Sequence, residues 1–190
     1  MSKPIPVDVI PSHVYLSQAD QAVLFGVGHP MTIAQERSQA GQYVYEESVE
    51  ILGKLKRSLN LRVLGPNWEN SIVEVTSTEA VFLGLNAPIA KTGDTTLSAP
   101  CKLVGPDGEV DLKNAVSIPF AHLMCSPDEA DSMNIRNGQK VAVDIIGEKT
   151  RILEDILVRV HPTFRLRLEI NQDTARDMWI TRPTHARLRD

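Results

Sequence analysis

The sequence contains few residues of the kind that cross-link small proteins. Only two of its 190 residues are cysteines, Cys101 and Cys125. Two widely separated cysteines cannot build a disulfide framework, and they lack the paired spacing of a zinc knuckle. We therefore expect both thiols to be reduced and buried.

The charge and hydropathy patterns also exclude two classes of partner. The 20 basic and 24 acidic residues give a net charge of -4, whereas proteins that follow phosphate backbones usually carry a basic face. No apolar run is long enough to span a bilayer, and the N-terminal stretch MSKPIPVDVIP lacks the pattern of a signal peptide. These absences predict a cytoplasmic protein that binds neither nucleic acid nor membrane.

Short strand patterns dominate what is present. Apolar or alternating runs occur in PVDVI, LRVL, SIVEVT, VAVDII and DILVRV. Turns such as LGPNW, VGPDGE and RNGQK punctuate them, and Gly147-Glu148 is expected to turn the chain between the last two runs. The pattern favours a mainly β fold made of small barrels.

Three short helices are expected between the strands, each opened by a capping residue. Ser17 precedes Asp20, Thr76 or Ser77 precedes Glu79, and Ser126 precedes Glu129. A Ser or Thr before an acidic residue can satisfy the free N–H groups of a first helical turn.

One phrase is written twice, which indicates an internal duplication. PSHVYLSQAD, residues 11–20, returns as FAHLMCSPDEAD, residues 120–131. We predict a first β-barrel half over 1–95, a second over 96–178 and a C-terminal tail over 179–190. The halves are expected to pack closely, with strand exchange between them as one arrangement.

The order of several phrases resembles the PduL-type phosphate acyltransferases, the phosphotransacylases of propanediol utilisation. The phrases that carry the resemblance are HVYLSQADQAVLFGVGHPMT, GQYVYEESVEI, RVLGP, VEVTSTEAVFLGL, GDTTLSAP, LVGPDGEV, AHLMCSPDEAD and VRVHPTFRLRLEINQDTA. The resemblance implies two similar β-barrel halves with short helices around a site with two zinc ions. There, coenzyme A and phosphate would exchange on an acyl group. Each half of such a site carries His-x-His, with a further Glu, a C-terminal His and an Arg that holds phosphate.

This sequence departs from that pattern at the positions where the chemistry is expected. His13 is followed by Tyr15 and His122 by Met124, so one histidine of each pair is replaced. Residues i and i+2 of a strand share a face, which is why His-x-His can grip one cation. Neutral phenol and thioether are poor zinc ligands.

Two further positions differ from the pattern that the resemblance implies. Trp68 stands where the resemblance places the phosphate-binding Arg, and a neutral indole cannot replace a guanidinium. Glu169 stands where it places the C-terminal His, while Glu74 is retained. No catalytic residue is therefore assigned.

The remaining donors leave two alternatives for the histidines. His13, Glu74, His122 and Glu169 could assemble a single metal site, or each His could be an ordinary buried polar residue. Cys125 beside Met124 would face the opposite side of a regular strand, so a thiolate ligand there would need a bulge. For the cofactor, the resemblance implies that Arg62 contacts an anionic group such as a phosphate of coenzyme A, and the alternative is a surface ion pair. Leu64 is predicted to bind the cofactor with it.

Three functional hypotheses follow. The first is a phosphotransacylase homologue that has lost two-zinc catalysis and acts as a binding or regulatory protein for coenzyme A, acyl-CoA or a protein partner. The second is an active acyltransferase with a rebuilt metal site. The third is a structural subunit with a closed cleft. A homodimer is compatible with all three, and the chain is expected to lack the targeting extension of members housed in bacterial microcompartments.

Overall fold

The protein is mainly β, as the strand patterns predict. A computed structural model describes residues 3–54, 56–147 and 149–189. In this part of the chain, fourteen strands and four short helices divide between two compact units. Unit 1 lies within Met1–Pro11, Ser38–Ala40 and Phe120–Asp190, and unit 2 within Ser12–Arg37 and Gly41–Pro119.

Unit 1 is a closed six-stranded barrel. Its strands are β1 (Ile5–Ile10), β10 (His122–Cys125), β11 (Lys140–Ile146), β12 (Arg151–Val160), β13 (Arg167–Asn171) and β14 (His185–Leu188). They are hydrogen-bonded in the order β1, β13, β10, β12, β11, β14, and β14 returns to β1. Closure leaves none of these six strands as an exposed edge of the ring.

Unit 2 contains a second ring of the same kind. Its strands are β2 (His13–Ser17), β3 (Ile33–Glu36), β4 (Tyr43–Leu52), β5 (Ser58–Trp68), β6 (Ile72–Glu74), β7 (Ile89–Ala90), β8 (Ala99–Val104) and β9 (Glu109–Pro119). The ring runs β9, β6, β2, β5, β4, β8, and β8 pairs back to β9. Strands β3 and β7 add to its outside.

The two rings match strand for strand, in order and in direction. Strand β2 is parallel to β5 and antiparallel to β6, as β10 is to β12 and β13. Strand β6 is parallel to β9, as β13 is to β1. The repeated phrase therefore marks equivalent strands, β2 and β10, in two equivalent rings.

The limits of the units differ from those of the predicted halves because each ring takes in a strand that precedes the other unit. Strand β1 closes the ring of unit 1, although it comes directly before β2 of unit 2. Strand β9 closes the ring of unit 2 and comes directly before β10. Residues 96–119 thus lie in unit 2. The segment after residue 178 contributes β14 to unit 1.

The structure has four helices in the described ranges, of which the first three begin at the expected caps and the fourth was not predicted. They are α1 (Gln18–Phe25), α2 (Ser77–Leu83), α3 (Pro127–Ser132) and α4 (Gln172–Asp177). Ser17, Thr76 and Ser126 accept hydrogen bonds from the backbone at the third residue after each. Helix α4 is capped in the same way by Asn171.

No helix in the described ranges is long and apolar enough to cross a bilayer.

Each unit has its own hydrophobic core. Strands β2 and β10 are buried along both faces, which explains their unbroken apolar sequence. The core of unit 2 includes Leu16, Ile51 and Leu103, and that of unit 1 includes Leu123, Ile156 and Leu168. Both cysteines are reduced, as expected, and buried.

One predicted turn is wrong, and another extends outside the described residues. The LGPNW stretch lies within β5, where Tyr15 and Ser17 of β2 pair with Leu64 and Trp68. Two steps along β2 thus match four along β5, so the extra residues form a bulge instead of ending the strand. Of the predicted Gly147-Glu148 turn, Glu148 is not among the described residues.

A short segment between β3 and β4 belongs to unit 1 and is held there by one glutamine. Gln39 is 1% exposed. Its side-chain amide accepts from Arg165 N at 2.9 Å and donates to Arg165 O at 3.0 Å. Ser38 adds a hydrogen bond to Asp8 Oδ2 at 2.5 Å. The Gln39 amide therefore pairs with Arg165 as a neighbouring strand would.

Replacing this glutamine is expected to destabilise the protein. Gln39→Ala removes both hydrogen bonds to Arg165 and should lower the free energy of unfolding by about 2 kcal/mol. The matched control is Gln35→Ala on the exposed strand β3, which should change it by less than about 0.5 kcal/mol. Urea unfolding measures both, and equal losses would contradict the role given to Gln39.

Candidate functional site

In unit 2, the first histidine of the repeated phrase faces a buried glutamate. Antiparallel pairing of β2 with β6 places His13 directly opposite Glu74. Both residues are 5% exposed, and His13 Nε2 lies 3.4 Å from Glu74 Oε2. These two of the predicted metal-ligating residues are therefore brought together.

Tyr15, which stands where the resemblance places a second histidine, is in contact with groups on several sides. It is 4% exposed, and its ring meets the His13 ring edge-on, with centroids 5.3 Å apart. It stacks on the Trp68 ring at 4.8 Å with an interplanar angle of 29°. Arg37 Nη1 donates to its hydroxyl oxygen at 2.9 Å. The phenol thus occupies a defined position within an aromatic and polar cluster.

Trp68 completes this cluster at the end of β5. It is half-buried and packs with Tyr15, Leu64 and Ile72 in a small hydrophobic group separate from the main core of unit 2. Gly93 gives it room, because a Cβ atom there would lie 2.9 Å from Trp68 Cζ3. The two residues that stand where the resemblance places a second histidine and an arginine, Tyr15 and Trp68, are therefore in direct contact with each other.

Arg37 belongs to this cluster, although the sequence patterns did not point to it. Its guanidinium Nη1 donates to the Tyr15 hydroxyl oxygen and, at 3.0 Å, to Gln42 Oε1. A nearby aromatic hydroxyl could not have been inferred, because Tyr15 is 22 positions away in the chain.

The two residues expected to contact coenzyme A differ in accessibility. Arg62 pairs in register with His13, is exposed, and donates a hydrogen bond to the Glu46 carbonyl oxygen. Leu64 is 5% exposed and packs in the cluster with Tyr15.

Unit 1 repeats the histidine and glutamate arrangement at the equivalent ring position. Antiparallel pairing of β10 with β13 sets His122 opposite Glu169, as His13 is opposite Glu74. His122 is 4% exposed, and Glu169 is partly buried. Asp8 of β1 is the register neighbour of Glu169 on its other side. Each unit therefore retains one His and one Glu on adjacent strands.

Met124 is the counterpart of Tyr15 in unit 1. It is 3% exposed, and the Gln39 amide nitrogen lies 3.7 Å from its sulfur. Arg159 and Arg167 are its register neighbours on the two adjacent strands, and Arg167 Nε lies 3.6 Å from Asp8 Oδ2. The segment anchored by Gln39 thus packs against Met124.

Cys125 lies in the core of unit 1 together with Leu123, on the face opposite His122 and Met124. Burial, assisted by the nearby Glu129 carboxylate, raises the pKa of its thiol to about 11. No bulge is found in β10 at this point, since its register with β12 is continuous. Cys125 therefore remains a neutral thiol and does not replace the missing ligand.

The donors in each unit do not fit the two-zinc centre that the resemblance implies. His13 and Glu74 belong to unit 2, and His122 and Glu169 to unit 1. The described part of the chain contains no group of three or more His, Cys, Asp or Glu side chains placed to hold a metal ion. Two donors in a unit fall short of the three or four protein ligands that zinc usually takes.

The contact between Tyr15 and Trp68 should be measurable as a coupling energy. Tyr15→Ala is expected to lower the free energy of unfolding by about 3 kcal/mol, because it empties a buried site. Tyr15→Phe, which keeps the stack, should cost about 1 kcal/mol. A double-mutant cycle of Tyr15→Ala with Trp68→Ala should give a coupling of about 1 kcal/mol. Strict additivity would mean that the two rings do not support each other.

Thiol chemistry provides a test of burial with a defined pH dependence. Burial, with a smaller effect of Asp111, raises the pKa of Cys101 to about 12, and Cys125 is raised to about 11. A raised pKa means that the folded state holds the protonated thiol more tightly than the unfolded state does. The two neutral thiols therefore contribute fully to the free energy of unfolding below about pH 9, and this contribution is lost as pH rises towards 11 and 12. Cys101→Ala with Cys125→Ala should therefore reduce the fall in unfolding free energy above pH 9.

Labelling with a thiol reagent at pH 8 gives the control for that experiment. Because the thiolate is the reacting form, the folded protein should react far more slowly than the urea-unfolded protein. Rapid labelling of the folded protein would contradict the buried, neutral state.

Comparison with known proteins finds relatives that match nearly the whole chain. The sequence model of the phosphate propanoyltransferase family matches residues 6–181. The phosphate propanoyltransferase of Priestia megaterium is 37% identical over 174 residues, which cover 92% of this chain and 80% of that protein. Those of Lachnoclostridium phytofermentans and Citrobacter freundii are each 34% identical, over 93% and 91% of this chain and 83% and 82% of their own length. The chain therefore belongs to the phosphate propanoyltransferase family.

Proposed function

We propose that this chain binds coenzyme A or an acyl-CoA without catalysing phosphate propanoyl transfer by a two-zinc mechanism. The observation that carries the proposal is the contact between Tyr15 and Trp68, which stacks two replacement residues at 4.8 Å. One stands at the position of a family histidine and the other at that of the phosphate-binding arginine.

Loss of catalysis is supported by the kind of group that has been replaced. Acyl transfer to phosphate depends on positioned positive charge that stabilises the anionic transition state, and removing one such donor typically costs about a hundredfold or more in rate. Trp68 offers no charge, and the phenol of Tyr15 already accepts a hydrogen bond from Arg37.

The second unit supports the same conclusion independently. Met124 offers only a thioether, and the buried Gln39 amide occupies the space beside its sulfur. An imidazole, which zinc binds well, is thus absent from a position filled by a thioether with its own packing partner.

Ligand binding is supported by the cations that remain around the unit 2 cluster. Arg62 lies beside His13 in register and is exposed, and Arg37 reaches the Tyr15 hydroxyl. Coenzyme A carries several phosphate charges, and guanidinium groups bind phosphate well, often through two hydrogen bonds. The aromatic surface of Trp68 adds a half-buried apolar contact.

A second candidate function is an acyltransferase with a rebuilt metal site. It is favoured by the His and Glu that each unit keeps on adjacent strands, His13 with Glu74 and His122 with Glu169. Imidazole and carboxylate are both suitable zinc ligands. Under this alternative, activity would depend on all four residues and on added zinc.

Turnover and binding separate these candidates. Release of coenzyme A from propanoyl-CoA with phosphate should stay at background with zinc present, while calorimetry should detect binding of coenzyme A. Arg62→Gln should weaken that binding at least tenfold, and Arg57→Gln, at an exposed position outside the cluster, should leave it unchanged.

The other outcomes decide against the proposal. Zinc-dependent turnover that disappears in His13→Ala and His122→Ala would establish the rebuilt enzyme. Folded protein that neither turns over nor binds coenzyme A would leave a structural subunit with a closed cleft.

A further inference from the structure

Unit 1 contains a cleft that none of the site residues lines. It has a volume of about 880 Å³, which is within the range of small-molecule sites. One wall is the end of β11 and the start of β12, and the other is the segment between α4 and β14. His122, Met124 and Glu169 are not among the residues that line it.

A tryptophan stands in this cleft with an unusual backbone conformation. Trp179 follows α4 with φ of 57°, in the left-handed region. Its N–H donates to Arg176 O at 3.0 Å, and the next residue, Ile180, donates to Ala175 O at 2.9 Å. These two hydrogen bonds form a Schellman motif, whose left-handed position is usually glycine.

The other helix ends of the protein show what that position ordinarily holds. The same pair of hydrogen bonds closes α2 with Gly84 at φ of 67° and α3 with Asn134 at φ of 51°. Glycine and asparagine are the residues that tolerate this conformation best, whereas a bulky aromatic is strained there. Trp179 is also 74% exposed, so the strain is not offset by burial of its ring.

The cleft carries positive charge beside this exposed ring. Lys149, Arg151 and Arg182 line it, and no acidic residue does so among the described residues. The Arg151 guanidinium carbon lies 5.6 Å from the centre of the Trp179 ring. Ion pairs in the described part of unit 1 engage other cations instead, namely Lys3, Lys140, Arg167, Arg176 and Arg189.

We propose that this cleft binds the diphosphate and base of a nucleotide, with the base on Trp179 and the phosphates at Lys149, Arg151 and Arg182. An exposed indole offers a flat surface on which a base can stack, and base stacking on aromatic side chains is independent of base identity. Guanidinium and ammonium groups bind the phosphates. Backbone strain at an exposed aromatic is typical of a residue kept for binding.

Two kinds of ligand carry this nucleotide moiety, a free nucleotide and coenzyme A, and the test distinguishes between them. Calorimetry is carried out on the full chain with ADP, with coenzyme A and with inorganic pyrophosphate. We expect ADP to bind more tightly than pyrophosphate, because only ADP supplies a base. Binding of coenzyme A that is lost together with that of ADP on substitution of Trp179 identifies coenzyme A as the source, whereas retained coenzyme A binding identifies a free nucleotide.

Trp179→Gly is the decisive variant, because its effects on stability and on binding should be opposite. Glycine relieves the left-handed strain, so the Tm should rise, while ADP affinity should fall at least tenfold. Arg151→Gln should weaken ADP and pyrophosphate alike, and Lys113→Gln in unit 2 serves as the charge-matched control. Absence of ADP binding, or unchanged affinity in Trp179→Gly, would overturn the proposal without bearing on turnover at the family site.

Discussion

The pairing of β2 between β5 and β6 is the constraint on which the unit 2 site depends. It brings His13 opposite Glu74 on one side and Arg62 on the other, and the alternation of the strand sets Tyr15 on the same face as His13. The bulge in β5 then brings Trp68 level with Ser17, within stacking distance of Tyr15. A change of side chain at position 15 therefore alters contacts with residues of β2, β5 and β6.

The same backbone arrangement occurs twice, but the residue two positions after each histidine has different surroundings in the two units. In unit 2 this residue is Tyr15, whose ring stacks on Trp68 and whose hydroxyl accepts a hydrogen bond from Arg37. In unit 1 it is Met124, whose thioether packs against the Gln39 amide. Equivalent backbone positions are thus filled by different side chains, each packed by its own neighbours.

Much of the fold could be predicted from the sequence, because local patterns determine it. The caps at Ser17, Thr76 and Ser126 each mark a helix start, and apolar runs mark strands. Strand exchange between the halves could be named as one arrangement, but its members β1 and β9 could not, since strand patterns do not say which ring a strand closes. In the site, the pairing of His13 with Glu74 follows from the resemblance, but the contacts of Arg37 and Gln39 depend on tertiary packing that no local pattern encodes.

Zinc affinity tests most directly the proposal that this chain lacks the two-zinc site that the resemblance implies. Equilibrium dialysis should compare the unaltered protein with a Tyr15→His, Met124→His variant, both shown to be folded. We expect the unaltered protein to retain no stoichiometric zinc at micromolar free metal, and the variant to gain at least one ion. Two zinc ions held by the unaltered protein, and released when His13 or His122 is replaced by alanine, would contradict this account of the site.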